Sequence, residues 1–140
     1  MVFASLVALA LSGAPSPSTP PDAWTQPYLG TWKVSLTEMM STCPDRSALG
    51  VSSVEEQWTL SANGWEIHVA VANPKTASSA YTGVYAGSKN ELQLDDGNRS
   101  SAHLSGTPQK LEGELVQVQH RKGPTGDVTC AASFHVSASR

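Results

Sequence analysis

Hydrophobic and polar residues alternate along most of the chain from residue 24 onward, and a helical repeat is almost absent. Alternation with a period of two residues is typical of β-strands that bury one face. Turn-forming sequences divide the chain into eight such stretches. Their apolar positions, in chain order, are Trp32, Val34 and Leu36; Trp58 and Leu60; Trp65, Ile67, Val69 and Val71; Tyr81 and Tyr85; Leu92 and Leu94; Ala102 and Leu104; Leu111, Leu115, Val116 and Val118; and Val128, Cys130, Ala132, Phe134, Val136 and Ala138.

The seventh stretch departs from strict alternation. Leu111 and Leu115 have one parity, whereas Val116 and Val118 have the other. One extra residue in a strand turns every later side chain to the opposite face. We therefore expect a β-bulge near Leu115 that brings Val116 and Val118 to the buried side.

Eight strands in one open sheet would leave two unpaired edges, and the sequence offers no helix to cover the apolar face. Closing the sheet on itself removes both problems. The sequence therefore predicts an all-β fold, an eight-stranded antiparallel up-and-down barrel. A sandwich of two packed sheets is the rival architecture.

The N-terminal residues differ in composition from the predicted barrel. An apolar run over residues 2–11 is followed by the small residues Ser12, Gly13 and Ala14, which is typical of a cleaved signal peptide. The run is shorter than the roughly 20 apolar residues that span a bilayer. Ala14 stands where a lipoprotein signal would carry its cysteine, so we expect no lipidation.

The predicted organisation follows from these features. Residues 1–14 form a signal peptide, and residues 15–23, rich in Pro and Ser, form a flexible spacer. Residues 24–140 form a single barrel domain. We expect a secreted or periplasmic protein whose mature chain does not insert into a membrane.

The chain contains two cysteines, Cys43 and Cys130. In an exported protein two cysteines are most simply one disulfide. A closed meander also pairs the end of the first strand with the start of the last, which are the places that these two residues occupy. The predicted closure and the predicted disulfide therefore support each other.

The disulfide also predicts how the first and last strands align. In an antiparallel pair of strands, the residue numbers of opposite residues add up to a constant. If Cys43 lies opposite Cys130, Trp32 therefore lies opposite a position one past Arg140. An arginine that arrives at the Trp32 end of the barrel could lie over the indole ring.

Gly30-Thr31-Trp32 at the start of the first strand, the eight strands and the final Arg140 together resemble the calycin barrels, the group that includes lipocalins and avidin. The resemblance covers the whole predicted domain. It implies that Trp32 closes one end of the barrel and that Arg140 packs across it.

Charge and motifs exclude several kinds of function. A net charge of −3 without a large basic cluster argues against a nucleic-acid partner. The four histidines lack the spacing of a zinc site, which needs three or four convergent ligands. No serine lies in a nucleophile elbow. We therefore expect no catalytic residues, no metal, no cofactor and no enzyme activity.

Two features of the sequence favour a binding function. Aromatic residues on the first four strands would form one wall of the barrel, and the loop over residues 38–53 is the longest connection. The barrel-lining residues are Trp32, Trp58, Trp65, Tyr81 and Tyr85, and the apolar residues of the loop over the barrel mouth are Met39, Met40, Leu49 and Val51.

These features support two hypotheses. In the first, the barrel holds a small hydrophobic or aromatic molecule against its aromatic wall, beneath the loop. In the second, the barrel is filled by its own side chains, as the width of an eight-stranded barrel allows. The protein would then be a non-catalytic interaction module, such as a protease inhibitor or a subunit of a cell-envelope complex, that binds a protein partner through the 38–53 loop.

Overall fold

A computed structural model describes residues 23–43, 53–123 and 125–140. Eight antiparallel strands form a closed barrel in which each strand pairs with its neighbours in sequence and β1 pairs with β8. This confirms the predicted fold and excludes the sandwich. The strands are β1 (Gly30–Ser41), β2 (Ser53–Asn63), β3 (Glu66–Ala72), β4 (Ala80–Ala86), β5 (Glu91–Asp95), β6 (Ser101–Thr107), β7 (Lys110–Gly123) and β8 (Gly126–Ser139).

The two ends of the barrel differ. At the Trp32 end, where β1 begins and β8 finishes, a short 3-10 helix (Gln26–Tyr28) precedes β1. At the opposite end, which we call the disulfide end, β1 finishes next to the start of β8. Residues 73–79 connect β3 to β4 at the disulfide end.

The disulfide between Cys43 and Cys130 is present, with the two Cα atoms 4.9 Å apart. The alignment that it predicts is correct near the disulfide, where Met40 lies opposite Ser133, and one residue off nearer the start of β1. The difference arises from a β-bulge between Glu38 and Met40, which inserts one residue into β1. The last strand therefore reaches Trp32 one residue earlier than predicted.

The predicted position of the two methionines is wrong, and the bulge explains why. Met39 and Met40 belong to β1, which continues to Ser41, and not to a loop over the barrel mouth. In a regular strand consecutive side chains point to opposite faces. The extra residue lets both methionine side chains point outward, where they are 68% and 69% exposed. Leu49 and Val51 lie outside the described residues.

Strand β7 contains no bulge, contrary to the prediction from Leu115. Its register is constant against both β6 and β8. Gln117 and Gln119 therefore continue the buried face of Leu115, while Val116 points outward. Val116 and Val118 were expected inside because that prediction used only their apolar character.

Trp65 is not part of the barrel wall. Asn63 pairs with Glu66, so Gly64 and Trp65 are the two residues of the turn between β2 and β3. Gly64 has a φ of 64°, a conformation that glycine adopts readily. Trp65 has the parity of the buried face but lies beyond the end of the strand, and it is 64% exposed.

Candidate functional site

The remaining aromatic residues of the predicted wall divide between the interior and one end of the barrel. Trp32, Trp58 and Tyr81 are each 1% exposed. The rings of Trp58 and Tyr81 are tilted against each other with centroids 5.1 Å apart. Tyr85 is half-buried at the Trp32 end, where its ring stacks against Tyr28 at 5.4 Å.

The Trp32 end is closed by residues from the segment before β1 and by Arg140 after β8. The indole Nε1 of Trp32 donates a hydrogen bond to the carbonyl of Tyr28 at 2.8 Å, and the guanidinium carbon of Arg140 lies 4.7 Å from the indole centroid. Arg140 also donates hydrogen bonds to the carbonyls of Pro27 and Leu29. The structure thus places Arg140 over Trp32, as the strand alignment and the resemblance predicted.

Gly30 leaves room for this arrangement. Its φ is 120°, and a Cβ atom there would lie 3.2 Å from Nη1 of Arg140. A side chain at this position would be strained and would press on the arginine. The residues Gly30, Trp32 and Arg140 therefore form one closure.

The middle of the barrel is packed with apolar side chains. The inward-facing residues expose almost none of their surface, so their side chains contact one another. These buried residues, all at most 8% exposed, are Tyr28, Trp32, Val34, Leu36, Trp58, Leu60, Ile67, Val69, Val71, Tyr81, Leu92, Leu94, Ala102, Leu104, Leu111, Leu115, Ala132, Phe134, Val136 and Ala138.

The interior changes character at the disulfide end, where it becomes polar. Gln117 has no exposed surface. Its Nε2 lies 3.0 Å from Thr76 Oγ1, 3.2 Å from Ser78 Oγ and 3.0 Å from the hydroxyl of Tyr81, and its Oε1 accepts a hydrogen bond from Ala77 N at 3.3 Å. Burial raises the pKa of Tyr81 to about 12. The phenol therefore remains protonated within this network.

A buried carboxylate completes the polar end. Glu56 is 4% exposed and accepts hydrogen bonds from the indole of Trp58 at 3.1 Å and from the backbone N–H groups of Lys75 and Thr76 at 2.7 and 3.2 Å. Buried carboxylates are costly unless their oxygens are hydrogen-bonded. Glu56 and Gln117 together hold residues 73–79 over the disulfide end.

We expect substitution of the inward Gln117 to cost much more stability than substitution of the outward Val116. Replacing Gln117 with Ala should lower the free energy of unfolding by about 2 kcal/mol or more, because it leaves buried polar partners unsatisfied. Replacing the outward Val116 with Ser should change it by less than about 0.5 kcal/mol. Urea unfolding measures both; a larger loss for Val116→Ser would mean that β7 has the opposite parity.

Asp96 fixes the same connection from the turn between β5 and β6. Its carboxylate accepts hydrogen bonds from Ser78 Oγ at 2.6 Å and from the backbone N–H groups of Asn98 and Ser100 at 2.7 and 3.0 Å. Burial tends to raise the pKa of this carboxyl, but the hydrogen bonds outweigh burial and hold its pKa below the ordinary value.

The lowered pKa of Asp96 predicts a loss of stability in acid. A depressed folded-state pKa contributes stability above the ordinary aspartate pKa of about 4, and this contribution disappears as the pH falls through the lower value. The free energy of unfolding of the wild type should therefore fall more steeply between pH 5 and pH 3 than that of Asp96→Asn. Urea unfolding at each pH tests this, with Asp95→Asn at the adjacent end of β5 as the control; equal slopes for wild type and Asp96→Asn would contradict it.

An apolar surface lies on the outside of the barrel across three strands. Met40 on β1 lies opposite Ser133 on β8, and Ser133 lies opposite Val116 on β7. In the next row Val118 lies opposite Ala131. We call this area the methionine surface; its residues are Met39, Met40, Val116, Val118, Ala131 and Ser133.

The methionine surface concentrates the exposed apolar side chains of the barrel wall. Among the described residues five large apolar side chains are exposed, and three of them, Met39, Met40 and Val116, belong to this surface. The other two, Trp24 and Trp65, lie at the Trp32 end. Contiguous exposed apolar residues often mark an interaction site.

A groove of about 530 Å³ adjoins the methionine surface. Met39 lines one part of it, and Glu112 and Glu114 on β7 line another. Gly113 and Ser133 are small residues in the same lining. The groove therefore combines a thioether with two carboxylates.

A second groove, of about 610 Å³, lies over β1, β2 and β3. Its lining includes the hydrophilic residues Lys33, Glu55, Gln57 and Lys75, and also Trp32, Glu56 and Arg140. The five large exposed apolar side chains named above all lie outside its lining.

No group of three His, Cys, Asp or Glu side chains within the described residues is arranged to hold a metal ion. His68 and His103 instead contact single carboxylates, those of Glu66 at 2.9 Å and Glu91 at 3.2 Å. The part of the chain that the structure describes also contains no helix long and apolar enough to span a bilayer.

Comparisons of the chain with models of known protein families, with curated proteins and with solved structures find no match. The barrel is compatible with a calycin-like fold.

Proposed function

We propose that this protein is an exported, non-catalytic interaction module that binds a protein partner on the outside of its barrel, through the methionine surface. The observation that carries the proposal is the bulge in β1, because it exposes two consecutive methionines that a regular strand would separate. Bulges often occur where a strand re-aims side chains for a function. Methionine side chains are flexible and polarisable, and they adapt well to a protein partner.

The packing of the interior supports an outer site over a ligand inside the barrel. A carrier needs a cavity lined by its binding residues. Trp32, Trp58 and Tyr81, three of the residues expected to line it, are buried against other side chains. Residues 75–77 and Gln117 occupy the disulfide end with hydrogen bonds to each other and to Glu56.

The disulfide and the sequence support an exported location. The Cys43–Cys130 disulfide is consistent with an oxidising extracellular or periplasmic location. Export through a cleaved signal peptide over residues 1–14 is part of the proposal. The partner is therefore a protein that meets the barrel outside the cytosol.

Site-specific photo-crosslinking tests the proposal in the cells that produce the protein. A photoreactive phenylalanine analogue replaces Met40 on the methionine surface or, as the control, Gln57 on the outer face of β2. We expect one discrete adduct from position 40 and none from position 57. The adduct should fall at least severalfold when Val116→Glu places a charge on the methionine surface.

The stability of the Val116→Glu variant must be measured alongside, so that a loss of adduct reflects the surface and not unfolding. Equal adducts from positions 40 and 57, or an adduct that a folded Val116→Glu variant leaves unchanged, would contradict the proposal. No adduct from position 40 would contradict it as well.

A further inference from the structure

We propose that the segment bound by the methionine surface carries an arginine or lysine that enters the groove beside it. This inference rests on the proposed function and adds the chemistry of the partner. The groove of about 530 Å³ begins at Met39 and extends to Glu112 and Glu114. It therefore has the Met39 thioether at one side and two carboxylates at the other, and His135 also belongs to its lining.

The two carboxylates share one face of β7. Glu112 and Glu114 are separated by one residue, so both point outward, about 7 Å apart along the strand. Glu114 lies opposite His135 and Glu112 opposite Ser137 on β8. The same outward face of β7 continues to Val116, which belongs to the methionine surface.

The negative charge of this pair is only partly balanced. Lys110 Nζ lies 3.7 Å from Glu112 Oε1, and both side chains are more than half exposed. Exposed pairs of this kind contribute little because water screens them. Among the side chains that the structure describes, no lysine or arginine forms an ion pair with Glu114.

A long basic side chain matches both parts of the groove. The aliphatic stem of arginine or lysine packs on apolar surface while its cationic head remains at a polar site. In this groove the stem would lie along Met39 and the head would reach the carboxylates. A guanidinium can also bind a carboxylate through two parallel hydrogen bonds, which favours arginine.

The spacing along β7 predicts the pattern of the bound segment. Val116, Glu114 and Glu112 follow one another at every second residue on the outer face. An extended segment that lies across this outer face, with every second side chain toward β7, would present an apolar residue and then basic residues at every second position. We infer the pattern apolar-x-basic-x-basic, in either chain direction.

Defined peptides test this inference without knowledge of the natural partner. The probe is fluorescein-labelled Leu-Ser-Leu-Ser-Arg-Ser-Arg, and its match replaces both arginines with citrulline, which has a similar shape and no charge. Fluorescence polarisation with the purified protein measures both affinities. We expect the arginine peptide to bind about tenfold more tightly, because close opposite charges strengthen such contacts.

Two double variants locate the charge effect. Glu112→Gln with Glu114→Gln should abolish the advantage of the arginine peptide. Glu55→Gln with Glu66→Gln changes the net charge equally at exposed positions elsewhere and should preserve it. An equal effect of both double variants would overturn the inference, because the attraction would then be diffuse.

The outcomes separate this inference from the proposed function. If the two peptides bind equally well and Val116→Glu weakens both, the methionine surface binds a partner but the basic residue is not required, so only the inference fails. If neither peptide binds, the inference also fails, because the probe carries every group that it invokes. The crosslinking from Met40 decides the proposed function independently.

Discussion

Replacing Cys43 and Cys130 together with serine is expected to lower the free energy of unfolding by about 4 to 5 kcal/mol. The disulfide joins residues 87 apart in the sequence, and a crosslink over a chain of this length removes much of the conformational freedom of the unfolded state. The disulfide also ties the end of β1 to the start of β8, where the barrel closes. Urea unfolding of the wild type and the double variant measures the loss.

Reduction of the wild-type disulfide under non-denaturing conditions provides the matched control. It should reproduce most of the loss seen in the double variant, because both treatments remove the same crosslink. A change below about 1 kcal/mol, well under the usual range for native disulfides, would show that the pairing of β1 with β8 holds the barrel closed without it.

Replacing Trp32 with Ala is expected to lower the free energy of unfolding by about 3 to 5 kcal/mol. Truncating a fully buried tryptophan loses its burial and leaves a cavity. In this protein it also removes the hydrogen bond to the Tyr28 carbonyl and the surface on which Arg140 lies. Thermal and urea unfolding measure the effect.

Trp65→Ala is the matched control, since it removes the same side chain from an exposed turn. We expect it to change the free energy of unfolding by less than about 0.5 kcal/mol. Similar losses in the two variants would mean that Trp65 packs into the barrel and does not belong to an exposed turn between β2 and β3.

Alternation of apolar and polar residues predicted the eight strands, and their unpaired edges together with the lack of a helix predicted the closure. The pattern repeats eight times without a helix, and unpaired edges make an open sheet of this kind unfavourable. The cysteines then fixed the alignment of the first and last strands to within one residue. The pairing of β1 with β8, which are far apart in the sequence, could be predicted because closure of the barrel and the disulfide constrain the same two strands.

The parity of β7 could not be obtained from hydropathy. Gln117 lies inside because Thr76, Ser78 and Tyr81, which are distant in the sequence, satisfy its amide. A buried polar side chain is tolerated when such partners exist. They become visible only when residues 73–79 are folded over the barrel end.

The methionine surface could not be predicted from the sequence for a related reason. Met39 and Met40 are consecutive, and a regular strand would bury one of them, so the sequence indicated a loop. The bulge that exposes both depends on the pairing of β1 with β8. Val116 joined the surface only when the constant register of β7 placed it outside.

The position of Trp65 shows a limit of parity at strand ends. Its side chain continues the alternation of Ile67 and Val69, but the strand begins one residue later, at Glu66. Parity specifies the direction of a side chain and not whether other residues cover it. The Asn63-Gly64 sequence indicated a turn, yet the turn comprises Gly64 and Trp65.

The central claim is that the protein binds on the outside of a filled barrel, and the fluorescence of the interior tryptophans tests it most directly. In the variant Trp24→Phe with Trp65→Phe, only the buried Trp32 and Trp58 report. Titration with a fatty acid, a retinoid and a steroid should give no saturable change in emission. A saturable change with one molecule per barrel, abolished by Trp58→Phe, would place the ligand inside the barrel and contradict the claim.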